Sequence, residues 1–74
     1  MDKKSIYASL GWHIRHKKGF YYNGNLYTGI MFDNDYVELH NYEERISAYI
    51  KYADISEIKN IEVNGELKKT IFTK

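Results

Sequence analysis

The sequence predicts a single all-β domain spanning residues 1–74 and built from five or six short strands. Three observations predict it. Apolar and polar side chains alternate from Leu26 to Phe32, from Tyr36 to Tyr42 and from Ile46 to Tyr52, the period-two spacing that sends successive side chains to opposite faces of a strand. Turn signals at Lys17-Lys18-Gly19, Asn23-Gly24, Asp33-Asn34-Asp35, Tyr42-Glu43-Glu44 and Asn64-Gly65 cut the chain into strand-length pieces. The 74 residues contain neither Pro nor Cys, which excludes disulfide, zinc-ribbon and thiol-redox scaffolds and leaves one small apolar core to hold the fold. A core that size is marginal on its own, so self-association into a homo-oligomer is an open option.

Ser5 before Ile6 and Gly11 after Leu10 give a helix start and stop around a short N-terminal helix. From Trp12 the helical period gives way to strand-like runs. Asn23-Gly24 and Asn64-Gly65 are type I′ hairpin signals, because both central residues of that turn need positive φ. The second hairpin carries a conflict: a two-residue turn pairs Val63 with Glu66 and Ile61 with Lys68, mixing apolar and charged residues on one face. Either a bulge shifts the register or the hairpin lies at the rim of the domain. Near residues 54–58 the alternation breaks, and Asp54 as a cap with Ile55 and Ile58 on one side reads as a single helical turn. The expected core is Ile14, Leu26, Ile30, Phe32, Val37, Leu39, Ile46, Ile50, Ile55, Ile58 and Ile61.

Charge is segregated along the chain. Residues 1–31 carry five basic residues against Asp2, residues 32–66 carry nine acids against three bases, and the tail adds three lysines. This pattern is either an intramolecular match between neighbouring strands or a dipolar surface that orients a partner. No apolar run approaches the roughly 18 to 20 residues of a membrane span, and Met1 to Lys4 lead into only a few mixed residues. The expectation is a cytoplasmic protein with no membrane association.

Chemistry-bearing constellations are sparse. His13 and His16 fall on opposite sides if their segment is a strand, and His40 is distant, so no metal site is expected. Asp33-Asn34-Asp35 with Glu44 imitates the outer spacing of a calcium loop, but Val37 and Glu38 stand where an oxygen ligand and the turn Gly are required. No serine has a nucleophile-elbow context and the five glycines form no phosphate loop. Neither catalysis nor a cofactor is expected.

Eight tyrosines are more than a core this small accommodates, and displayed Tyr is enriched in binding patches. Tyr36 and Tyr42 fall opposite Val37 and Leu39, and Tyr49 falls opposite Ile46, Ala48 and Ile50. With Glu38, Glu43 and Glu44 as a charged rim, they predict a surface that docks on a larger protein partner. Small phage and mobile-element inhibitors of host enzymes have this size and composition, and the abundance of Lys, Ile, Tyr and Asn, all written in A/T-rich codons, agrees with such an origin. The rival expectation is nucleic-acid binding. The segment from Trp12 to Tyr22 interleaves aromatic with basic groups, with Trp12, Arg15, Lys17, Lys18 and Tyr21 as the candidate contacts to stacked bases and phosphates.

Residues 20–58 resemble the Sm-like family, which includes the bacterial Sm-type RNA chaperones. Asn23-Gly24 followed by Tyr27 and Gly29 looks like the family's first motif, Phe32-Asp33 like its Phe-Asp pair, and Lys51-Tyr52-Ala53-Asp54-Ile55-Ser56 like its second motif. The resemblance implies a small, strongly bent barrel of five or six strands with a short N-terminal helix, and a single-stranded RNA partner. Lys51-Tyr52 stands where the chaperones have Lys-His, so these two residues carry over as RNA contacts.

Overall fold

A computed structural model describes all of residues 1–74. The chain opens with α1 (Lys3–Arg15), a helix longer than the stretch between Ser5 and Gly11. Asp2 rather than Ser5 caps it, its carboxylate accepting from the Ser5 amide at 2.8 Å. Ile6 and Leu10 are fully buried and Ile14 packs beside them, a spacing of four that lines one helix face. Burying each of the first two stabilises by about 1.5–3 kcal/mol, which outweighs the roughly 1 kcal/mol that a mid-helix glycine costs. Gly11 therefore does not stop the helix, and Trp12 to Arg15 are helical rather than the start of a strand. The helix ends where the Lys17 amide bonds Ile14 O at 3.3 Å and the Lys18 amide bonds His13 O at 3.0 Å. That is a Schellman closure, with Lys17 at φ 53° in the left-handed position usually given to glycine.

Seven strands follow: β1 (Phe20–Tyr22), β2 (Asn25–Tyr27), β3 (Gly29–Phe32), β4 (Tyr36–Asn41), β5 (Ile46–Lys51), β6 (Ile55–Val63) and β7 (Glu66–Thr73). They form two open sheets, β2-β1-β7-β6 and β3-β4-β5, in place of the single closed barrel of five or six strands. Closure fails where a 3-10 turn, Tyr52–Asp54, carries the chain from one sheet to the other, leaving β5 and β6 as edges. All pairings are antiparallel except β1 with β7, which places Tyr21 opposite Thr70 and Tyr22 opposite Ile71.

The helical turn expected at residues 54–58 thus lies earlier, at Tyr52–Asp54. Ile55 and Ile58 are extended, and a register shift between Ile55 and Glu57 inserts one residue into β6. The bulge turns a spacing of three into a shared inward face, the same burial that a helical turn would give. Residues 26–32 are likewise two strands and not one. At Thr28 the inward phase changes, so Tyr27 is buried in β2 while Ile30 and Phe32 face inward in β3.

One cluster joins the layers. Ile6 and Leu10 from α1 meet Phe20, Tyr27, Ile55 and Ile71 of the four-stranded sheet, Val37, Leu39 and Ile50 of the three-stranded sheet, and Tyr52 between them. Of the expected core, Ile14, Ile30, Phe32, Ile46 and Ile58 pack against this cluster, whereas Leu26 and Ile61 stay half-exposed outside it. Buried Asn41 ties the two sheets, donating to Leu26 O at 3.1 Å and accepting from the Glu44 amide at 3.2 Å. The β6–β7 hairpin keeps its two-residue Asn64-Gly65 turn, with φ 52° and 82°, and pairs Val63 with Glu66 and Ile61 with Lys68. The conflict read from the sequence is resolved by position: the hairpin reaches past the body, and Val63 and Leu67 are exposed near its tip.

Candidate functional site

Two surfaces collect the side chains with binding chemistry. The first is the outer face of β3-β4-β5. Strand alternation sends Val37, Leu39 and Asn41 inward and leaves Tyr36, Glu38 and His40 on the other side. The register sets Met31, Glu38 and Tyr49 in one row and pairs Tyr36 with Lys51. The Tyr36 and Tyr49 rings lie 5.7 Å apart and inclined at 60°, a favourable aromatic geometry. The Tyr49 hydroxyl donates to Glu38 Oε1 at 3.4 Å. Tyr49 and Met31 are 65% and 57% exposed, so the row presents apolar surface to solvent.

At one end of this face His40 lies across Gly29, where any Cβ would collide with its imidazole, and its ring packs against Tyr42 at 4.5 Å. At the other end is the β3–β4 turn. The Asn34 amide, and then the Tyr36 hydroxyl, hold the Asp33 carboxyl below its ordinary range. Asp33 in turn raises the Tyr36 phenol, so the hydroxyl stays protonated and remains a donor.

Tyr36, Glu38 and Tyr49 are therefore brought together as expected, with Tyr42 78% exposed in the adjoining β4–β5 turn. Glu43 and Glu44 are not part of this rim. They follow the turn round to the β2 side, beside Leu26 and Thr28. Lys51 sits with Tyr36 and Tyr49 and so belongs to this face rather than to a basic segment. Tyr52 is in the core and its hydroxyl donates to Asp33 O. Its ring has no face free for a base, which corrects its carry-over as an RNA contact.

The second surface is a cleft of about 310 Å³ where the end of α1 meets β1 and β7. Trp12, Lys18 and Tyr21 line it, joined by His13, which the sequence offered only as a rejected metal ligand, and by Lys68 and Lys69, which it did not single out. Arg15 and Lys17 are exposed on the adjoining helix end rather than in the lining. His13 and His16 lie three apart on the same helix end, not on opposite faces of a strand. His16 stacks on Trp12 with centroids 4.3 Å apart and planes 18° apart, and its Nδ1 lies 2.9 Å from Trp12 O. Burial, then Lys69 and His16, hold His13 below its ordinary pKa.

Folding brings part of the segregated charge together. The single ion pair is Lys59–Glu57 at 3.2 Å, two residues apart on exposed β6, while the basic tail on β7 runs beside β6, which carries Glu57 and Glu62, and Lys3 adds to the lowering of the Asp33 pKa. No group of three His, Asp or Glu side chains is placed to hold a metal ion, and no helix is long and apolar enough to cross a membrane. No protein family, curated protein or solved structure matches the chain.

Proposed function

We propose that the protein is a non-catalytic, cytoplasmic binding module that docks on a larger protein, as an inhibitor or modulator, through the outer face of β3-β4-β5. The observation that carries this reading is the Tyr36–Tyr49 ring pair beside exposed Met31, on a sheet face that nothing in the chain covers. Interface hot spots are enriched in Tyr, because its ring supplies contact area at low entropic cost while its hydroxyl fixes orientation. Glu38 and Lys51 flank the rings and supply the polar rim. The free edge of β5 adds unpaired backbone groups to which a partner strand can bond.

The test is capture from nuclease-treated host lysate on the immobilised full chain, with the bound species identified and its affinity measured. Tyr36→Ala with Tyr49→Ala is expected to weaken that affinity by about 30-fold or more, the scale of a hot-spot loss. Tyr49→Ala alone, at an exposed position, controls for stability and should already weaken capture. Equal capture of the same partner by both variants would exclude this face. Recovery of only a second copy of the chain would make the interface homo-oligomeric and overturn the larger-partner reading.

A further inference from the structure

We infer that the cleft between the end of α1 and β7 is a binding site for single-stranded nucleic acid, separate from the tyrosine face. The parallel pairing of β1 with β7 builds it, because it carries Lys68 and Lys69 alongside Tyr21 and the helix end that bears Trp12. Lys18, Lys68 and Lys69 line the cleft against one acid, Glu66. None of the three forms an ion pair, so each has a charge that a phosphate can neutralise, Lys68 from its seat over the Tyr21 ring.

Two aromatic rings stand among these charges. Trp12 is 48% exposed although His16 is stacked on it, a ring held in orientation yet open enough for a base. Tyr21 carries the Lys68 ammonium over its ring face, 4.7 Å from the centroid, which seats a cation in the cleft and leaves Trp12 as the ring open to stacking. The negative end of the α1 dipole acts against an anion here. The opposition is reduced because the carbonyls of Trp12, His13 and Ile14 already accept from the His16, Lys18 and Lys17 amides.

Stacking selects the strand state. The cleft of about 310 Å³ has room for a base with its phosphate, and base-to-aromatic stacking on the exposed Trp12 ring needs the unstacked bases of a single strand. An acidic peptide would satisfy the lysines and leave Trp12 unused, which is why nucleic acid is the occupant argued for.

The experiment is fluorescence anisotropy of a labelled single-stranded oligonucleotide of about 12 residues, oligouridine and oligothymidine in turn, with the full chain across a salt series. Three phosphate contacts predict a log–log salt slope near −2, or about 100-fold weaker binding per tenfold rise in salt. Lys68→Ala with Lys69→Ala should lower that slope by about 1.4. Trp12→Ala should weaken binding about tenfold or more without removing the salt dependence. Lys18→Ala, on an exposed loop, repeats the charge test without touching a strand, and Tyr49→Ala should leave oligonucleotide binding unchanged. The inference is overturned if no binding is detected, or if binding persists unchanged in the lysine and tryptophan variants. It is equally overturned if a polyglutamate peptide or a duplex of equal length binds as tightly as the single strand.

Discussion

The β3-β4-β5 sheet and the β6–β7 hairpin are both antiparallel, yet their registers are set by different forces. In the sheet, burial decides. Val37 and Leu39 are fully buried, and slipping β4 by one residue would exchange them, together with buried Asn41, for Tyr36, Glu38 and His40. In the hairpin the turn decides. Asn64-Gly65 fixes Val63 opposite Glu66 although that leaves Val63 and Leu67 in solvent. The turn can prevail because Val63 and Leu67 remain exposed near the tip, so mixing apolar with charged residues there costs little.

A charge placed in each region breaks the symmetry most sharply. Leu39→Asp is expected to unfold the domain, because an unpaired carboxylate would enter the core in place of a fully buried side chain. Even Leu39→Ala would remove about 2–5 kcal/mol, much of the stability a small domain has. Leu67→Asp, with the parent side chain 71% exposed, should change stability by less than about 0.5 kcal/mol. Urea midpoints of the two variants check this. Comparable losses would mean that the hairpin tip is packed, or that the face assigned to Leu39 is wrong.

The second test goes to the turn. Gly65 sits at φ 82° with nothing near the position of an added Cβ, so Gly65→Ala introduces backbone strain and no clash. The expected cost is about 1–2 kcal/mol, concentrated in the hairpin. Amide exchange in Glu62 to Leu67 should accelerate while that of Val37 to Leu39 scales only with the global loss. If exchange rises equally in both regions, the hairpin register is not held by its turn.

The same contrast explains how much was legible in the sequence. Alternation over residues 36–41 and 46–51 identified the inner and outer faces of β4 and β5, and with them Tyr36, Glu38 and Tyr49, because each strand there obeys one period throughout. Where two rules compete, the reading went astray. Gly11 signalled a helix stop, but Ile6, Leu10 and Ile14 on one face carried the helix past it. Ile55 and Ile58 looked helical because a bulge imitates a spacing of three. Closure into a barrel was implied by the Sm-like resemblance, but nothing local announces the sheet change at Tyr52–Asp54. The cleft was half legible. Trp12, Lys18 and Tyr21 stood out as an aromatic and basic segment, whereas Lys68 and Lys69 reach it only through a parallel pairing between residues some fifty positions apart.

The smallest expected effect concerns the junction where the hairpin meets the helix. His13 sits there, its Nδ1 buried without a hydrogen-bond partner, and burial, then Lys69 on β7 and His16 at the C-cap of α1, lower its pKa below 6.5. The fold therefore favours the neutral ring, and the unfolded chain takes up the proton first as pH falls through about 6.5. The contribution of His13 is fully present above that value and is lost progressively as pH drops through the lower folded pKa. Asp2 and Asp33 act in a separate window, because their folded pKa values lie below 3.8 and both remain ionised here. Tm should thus fall modestly between about pH 8 and about pH 5.5, and His13→Gln should flatten this part of the profile. A variant that keeps the full slope would place the titration elsewhere, whereas a profile made steeper would show that the protonated ring is stabilised at the junction, contrary to its burial beside Lys69.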